Sequence, residues 1–337
     1  MSVRSIRSRR PSTRVSAVMR IVAFGEVLVD MLSGRVVDGD LQAASTFHPI
    51  PGGAPANVAV AVARLGGASY FAGAVARDRF GEFLLDALRA NGVRVDFVRQ
   101  SQTGKTALAF VDLDDAGERR FSFYGEDAAH LDFGTDDLPG SVFDEPVIFH
   151  FGSNTLTGER IRTTTNELVN AAKRGGAVVS FDINFREGLW QDPAEAPAAI
   201  LAIGASCDVI KSSREELVAL FGERRQQATI QGWLKRGVAL VVVTDGGGDV
   251  RYYGRDFDGT VATPAVEVVD TTAAGDAFVG GLLYRLAGGI DGGETWPPND
   301  PAAIRQSIEF AVVCGAFAVT RAGAFVSLPT LEELGRR

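Results

Sequence analysis

The sequence predicts an α/β fold in which a central, mostly parallel sheet is flanked by helices on both faces and carries a small β-sheet lid. Short apolar, β-rich runs alternate with helical patterns through most of the chain, the mark of parallel strands joined by helical crossovers. Around residues 27–50 and 104–125 that rhythm breaks, and strand-like runs are joined by turns instead of helices. Two apolar helices are preceded by runs of small residues, which leave backbone N–H groups open to a ligand.

Strands of the main sheet are expected at Arg20–Phe24, Tyr70–Val75, Val147–Phe151, Ala177–Asp182, Asp208–Lys211 and Leu240–Thr244. A helix from about Arg79 to Asn91 has Asp78 as its N-cap and Gly92 as its stop, and another runs from Gly158 to Arg174 between Thr157 and Gly175-Gly176. The last long helix covers about Ala302 to Val319. Thr106–Leu113 and Arg119–Tyr124, linked by Asp114-Asp115-Ala116-Gly117, read as a hairpin, and an insert of this kind serves as a lid. Gly288 to Pro301 reads as a surface loop.

The chain has 337 residues, 46% of them hydrophobic and 23% charged, enough to bury a substantial core. Residues 1–18 hold Arg4, Arg7, Arg9, Arg10 and Arg14 with several serines and no acid. Organellar transit peptides share that composition. The preferred reading is a disordered basic tail ahead of one domain at 19–337, because Met19 directly precedes the first strand. A net charge of -8 provides no general field for nucleic acid or an anionic membrane, so an anionic ligand must be held by local devices. Two cysteines, Cys207 and Cys314, form no disulfide framework or zinc spacing and fit a reducing, cytoplasmic setting. No apolar window is long enough to span a membrane.

The strongest chemical signal is Asp270-Thr271-Thr272-Ala273-Ala274-Gly275-Asp276, followed by the apolar helix Val279–Leu286. Small residues at a helix start expose N–H groups, and with the helix dipole these form an anion site. A carboxylate within it repels an anion, so Asp276 either complements the helix N-terminus or takes a proton from a hydroxyl that attacks the bound phosphate. Pro51-Gly52-Gly53-Ala54-Pro55-Ala56-Asn57 runs into the helix Val58–Leu65; it is either an ordinary glycine turn or a close approach to a polar ligand, with Asn57 as donor and acceptor. Gly25 to Asp30 ends the first strand, which places an acid where α/β proteins bind ligands. In Lys211-Ser212-Ser213-Arg214-Glu215-Glu216, Ser213 and Glu216 fit a helix capping box, and Glu216 also suits water-mediated magnesium binding. Thr244 to Gly248 is at least a turn.

Gly104-Lys105-Thr106 is not a P-loop: the required earlier glycine is Arg99 and a strand follows. His48, His130 and His150 lack metal or triad spacing.

Together these segments, in order over about residues 19–331, resemble the ribokinase-like, or pfkB-type, carbohydrate kinases. The Gly-Gly-x-x-x-Asn helix start and the Asp270–Asp276 run match both signatures of that family. The resemblance implies an ATP-dependent sugar kinase with Asp276 as catalytic base and the N–H groups of Ala273, Ala274 and Gly275 holding the transferred phosphoryl group. It implies sugar binding by Asp30, Gly52, Gly53, Asn57 and Arg186, and a nucleotide side formed by Ser213, Glu216, Thr244, Gly246 and Gly248. Glu216 matches the acid associated with Mg2+ through water; Asp270, Thr272, Gly323 and Ser327 match positions where some members hold a monovalent cation such as K+. Lids in this family often pair edge to edge, so the resemblance implies a homodimer through the lid.

Within the family the segments look most like fructokinases, with Asp182-Ile183-Asn184-Phe185-Arg186 shared with kinases of 2-keto-3-deoxygluconate. Gly125-Glu126-Asp127 replaces an arginine common in relatives, and an acidic turn near the pocket disfavours a substrate carboxylate. The expected reaction is ATP and fructose to fructose 6-phosphate. The alternatives are a ketodeoxygluconate, ribose or nucleoside kinase and a non-catalytic sugar-binding regulator. Departures from the family pattern are Ala273 and Asp249 for glycines, and Val312 and Ser213 for asparagines; the first is expected to be mild.

Overall fold

The structure, a computed structural model, describes residues 19–33, 46–113, 119–291 and 300–335. The expected basic tail, the hairpin turn at 114–118 and most of the expected Gly/Pro loop lie outside the described residues.

Strands in chain order are β1 (Arg20–Phe24), β2 (Leu28–Ser33), β3 (Phe47–Gly52), β4 (Ser69–Ala76), β5 (Arg94–Ser101), β6 (Leu108–Leu113) and β7 (Arg119–Tyr124). They continue with β8 (Val147–Gly152), β9 (Val178–Asp182), β10 (Val209–Ser213), β11 (Leu240–Thr244), β12 (Val250–Gly254) and β13 (Asp258–Val261). The helices are α1 (Ala54–Arg64), α2 (Arg79–Ala90), α3 (Glu159–Arg174), α4 (Ala196–Gly204), α5 (Arg214–Phe221), α6 (Gln226–Lys235), α7 (Ala274–Asp291), α8 (Pro301–Ala318) and α9 (Leu331–Gly335).

Among the described residues the strands form a nine-stranded sheet, ordered β13-β12-β11-β10-β9-β8-β1-β4-β5, and a four-stranded sheet, ordered β3-β2-β6-β7. The large sheet is parallel from β5 to β11 and ends in two antiparallel strands, β12 and β13. Its central strands are apolar on both faces, as a sheet covered twice requires. In β1, Val22 and Phe24 join a core that includes side chains of α3 to α6, while Ile21 and Ala23 join cores built with α1, α2, α7 and α8. Strand order reverses between β1 and β8, so a crevice opens there at the strands' C-terminal ends.

The small sheet grows from the C-terminal side of β1, with Gly25 to Val27 as its link to β2. Asp78 fastens its base. This residue caps α2 by accepting from Gly81 N at 2.7 Å, and it also accepts from Thr106 Oγ1 at 2.7 Å just before β6.

Four expectations need correction. Asp30 lies in β2 of the small sheet, not at the end of the first strand, because the chain leaves the large sheet at Gly25 (φ +146°). Helix α1 begins at Ala54, so Asn57 lies within its first turn. Helix α7 continues through Gly288 to Asp291, where a loop was expected. Ala273 is not a mild replacement, since its φ of +58° is left-handed and favours glycine.

The last correction is testable. Ala273→Gly should stabilise the fold by about 0.5–1 kcal/mol, the left-handed strain relieved less the entropy glycine costs. Urea unfolding should show a higher midpoint at unchanged slope; a lower midpoint would refute the strain at this position.

Candidate active site

The site forms where the first turns of α1 and α7 meet. Asn57 Nδ2 donates to Asp276 Oδ2 at 2.7 Å, across 219 residues of sequence. The two helices pack closely enough that a side chain on Gly280 would place its Cβ 2.4 Å from that of Ala61. Small residues on both helices therefore bring the two N-termini together.

Each N-terminus is entered by a left-handed residue. At α1 it is Gly53 (φ +103°), where a Cβ would lie 2.7 Å from the carbonyl oxygen of Glu26. Asn57 N donates to Gly53 O at 2.8 Å, and a Cβ on Gly52 would meet Asp30 Oδ2 at 2.2 Å. Asp30, Gly52, Gly53, Asn57 and Asp276 thus form one continuous surface joining the lid to α7. At α7 the left-handed residue is Ala273, whose carbonyl accepts from Ala277 N at 2.7 Å.

Burial raises the pKa of Asp276 above the ordinary aspartate value, and the Asn57 hydrogen bond, Lys211 and Arg186 partly offset this. It thereby has a stronger affinity for a proton than a solvated carboxylate has. Glu26 is buried beside it, donated to by Ala54 N at 3.3 Å, and burial pushes its pKa up to about 7.

A second group collects at the C-terminal ends of β10 and β11, where Ser213 and Thr244 are register partners. The capping box is formed: Ser213 Oγ accepts from Glu216 N at 3.1 Å, and Glu216 Oε2 accepts from Ser213 N at 2.7 Å. Glu216 Oε2 also accepts from Ser212 Oγ at 3.1 Å, while Oε1 lies 3.9 Å from Arg186. Arg186, expected with the sugar, stands beside Glu216 on this side. The turn after β11 holds Gly246 at φ +53°, and Gly248 N closes it on Asp245 O at 2.6 Å.

A third group surrounds Asp270, which is buried. Its carboxylate accepts from Thr272 N and Gly323 N, each at 2.8 Å. Thr272 Oγ1 is buried without a hydrogen-bond partner among the described residues, an oxygen suited to a cation. Ser327 Oγ donates to Ala324 O at 2.8 Å. Among the described residues no three His, Cys, Asp or Glu side chains are grouped as a metal site, and no helix is long and apolar enough to cross a membrane.

Other expectations resolve simply. Val312 packs in an apolar core cluster, Glu126 and Asp127 are exposed, and Cys207 and Cys314 are buried free thiols. Lys211 and Asp182, which open two of the quoted segments but were assigned no role there, form a buried ion pair with Nζ 3.1 Å from the carboxylate. The apolar residues around them in sequence were the available signal, since a charge inside a buried strand needs a partner.

The chain matches the model of the pfkB family of carbohydrate kinases over residues 19–331. It is 40% identical to fructokinase-1 of Zea mays, covering 93% of this chain and 96% of that protein. Among solved structures it is similar to a fructokinase of Xylella fastidiosa with bound ATP, at 41% identity and a TM-score of 0.85, covering 95% of this chain and 98% of the other. It is also similar to a fructokinase of Vibrio cholerae in a form with fructose, ADP and calcium ion, at 35% identity and a TM-score of 0.84, with the same coverage of 95% and 98%. A helix start that carries a carboxylate lies beside a glycine turn next to the small sheet, and this chain belongs to the pfkB family of carbohydrate kinases.

Proposed function

We propose that this kinase transfers the terminal phosphate of ATP to fructose, with Asp276 as the general base. The observation that carries the reading is the Asn57–Asp276 contact, which puts one carboxylate at both the helix N-terminus and the glycine turn. The sugar lies between the lid and the large sheet, against Asp30, Gly52, Gly53 and Asn57. ATP lies along the β10 and β11 side, near Ser213, Glu216, Thr244, Gly246 and Gly248. The hydroxyl oxygen attacks the terminal phosphorus in line, its proton passes to Asp276, and the bridging oxygen leaves with ADP. N–H groups of Ala273, Ala274 and Gly275 hold the charge of the moving phosphoryl group. Lid closure excludes water, so ATP is not wasted on hydrolysis.

A magnesium ion, when bound, neutralises phosphate charge. Glu216 suits holding it through water, because Oε2 is fixed by Ser212 and Ser213 while Oε1 has only a long contact, 3.9 Å to Arg186. The donor set of Asp270 and Thr272, with Gly323 and Ser327 beside it, suits a monovalent cation such as K+. Two buried free thiols support a cytoplasmic setting. The edge-to-face aromatic row Phe47, Phe110 and Tyr124 on the lid, with Tyr124 exposed, supports a homodimer through the lid.

The named relatives favour fructose, and the acidic Glu126-Asp127 turn disfavours an acid sugar. ADP release with fructose, 2-keto-3-deoxygluconate, ribose and adenosine should give fructose a kcat/KM roughly tenfold or more above the others. A higher value for another sugar would move the substrate, and sugar binding without ADP release would indicate a regulator.

Asp276→Asn should lower kcat by about 10²–10⁴-fold while the fold survives, since shape is kept. Wild-type turnover in the folded variant would remove Asp276 as base. Activity should also fall as pH drops, because the base must be ionised, and the midpoint of that fall should lie above the ordinary 3.8 of an aspartate. A kcat/KM profile still flat near pH 4 would contradict this.

A further inference from the structure

Helix α1 starts without a cap of its own. Its N-cap residue is Gly53, which has no side chain to offer, and no acid stands in its first turn. A serine or aspartate at 53 would supply the missing acceptor. The backbone bars it, since φ is +103° there and a Cβ would lie 2.7 Å from the carbonyl oxygen of Glu26. The acceptor comes instead from that same residue, 28 positions before Ala54: Glu26 Oε1 accepts from Ala54 N at 3.3 Å.

Glu26 lies in the link between β1 and β2, whose main chain fits closely against the same turn. A Cβ on Gly25 would lie 2.7 Å from Cγ of Pro55. A carboxyl is a costly choice here. It is buried, Oε2 has no close hydrogen-bond partner among the described residues, and burial pushes its pKa up to about 7. Its own N–H, the side chain of Asn154 in the short turn Ser153–Leu156 after β8, and Ala54 N favour the charge, while Asp276 opposes it. A carboxyl closed off in this way does not touch a substrate; it acts through its neighbours. The neighbour that matters is one turn along. Asn57 N donates to Gly53 O at 2.8 Å, the first bond of the helix, and Asn57 Nδ2 reaches Asp276.

We propose that Glu26 is a positioning residue for phosphoryl transfer, holding the first turn of α1 so that Asn57 aims the Asp276 carboxylate at the sugar hydroxyl. The inference rests on the kinase reading above and deepens it. No bond to Glu26 forms or breaks, and the hydroxyl proton still goes to Asp276. Gly53 is free to face the sugar because the capping task has passed to a residue of the link.

Glu26→Ala leaves Ala54 N without its acceptor. It should lower kcat about tenfold and raise the KM for fructose about threefold, with the KM for ATP changed less than about twofold. Glu26→Gln keeps an oxygen for Ala54 N and should hold kcat within about threefold of the parent. In an Asn57→Ala background the Glu26→Ala loss should shrink to less than about twofold, because the contact it acts through is already cut. Hydrogen exchange reads the same connection without turnover. In Glu26→Ala the amides of Asn57 and of Ala277, in the first turn of α7, should exchange about fivefold faster, and both should return to parental rates in Glu26→Gln. If Glu26→Ala does not fold, Glu26→Asp, one methylene short of Ala54 N, carries the same comparisons. Parental kcat in the folded variant, a Glu26→Gln loss as large as that of Glu26→Ala, additive losses with Asn57→Ala, or faster exchange confined to α1 would overturn the proposal. A parent that fails to phosphorylate fructose would instead sink the substrate reading, and exchange at Ala277 would still judge Glu26.

Discussion

Two helix N-termini that begin 220 residues apart are held face to face by one hydrogen bond from Asn57 to Asp276. The site depends on that approach. It is set by the close packing of α1 on α7, where Gly280 meets Ala61, and by two left-handed residues, Gly53 and Ala273, that turn the chain into each helix. A helix start is attractive to an anion because its first N–H groups lack partners. Placing two of them together, with a carboxylate between, produces a pocket that favours phosphate and yet retains one group able to take a proton.

The electrostatics of this pocket are local. The chain as a whole carries a charge of -8, and Asp276, Asp182, Glu216 and Glu26 gather within a small volume. Burial of Asp276, Asp182 and Glu26 raises their affinity for protons, which suits a base but works against a polyphosphate. Lys211, Arg186 and the backbone N–H groups provide the compensating positive potential.

Much of the main sheet was legible in the sequence because buried parallel strands are continuous apolar runs; β1 and β11 agree with expectation to the residue. Strands β5, β12 and β13 were not, since Arg94–Ser101, at one edge of the sheet, and Val250–Gly254, beside the other edge, mix charge with apolar residues. Asp30 was placed at the end of the first strand because Leu28 and Val29 continue the apolar pattern across Gly25, although it also fell within the segment 27–50 read as part of the small sheet. The extension of α7 over Gly288 overrides a propensity penalty of about 1 kcal/mol per glycine. The motif residues of the site were named through the family resemblance their two signatures carry, whereas the Lys211–Asp182 pair and the backbone strain at Ala273 arise only from strands and turns meeting in space.

The double duty of Asp78 bears on how the lid is attached. The same carboxylate that caps α2 also holds the hydroxyl of Thr106, where the chain enters β6. Because that carboxylate is itself fixed by Gly81 N, the hydroxyl of Thr106 is bonded to an acceptor that is already held in place. The root of the small sheet, where the chain enters β6, is thereby tied through one side chain to the start of α2 in the body of the protein.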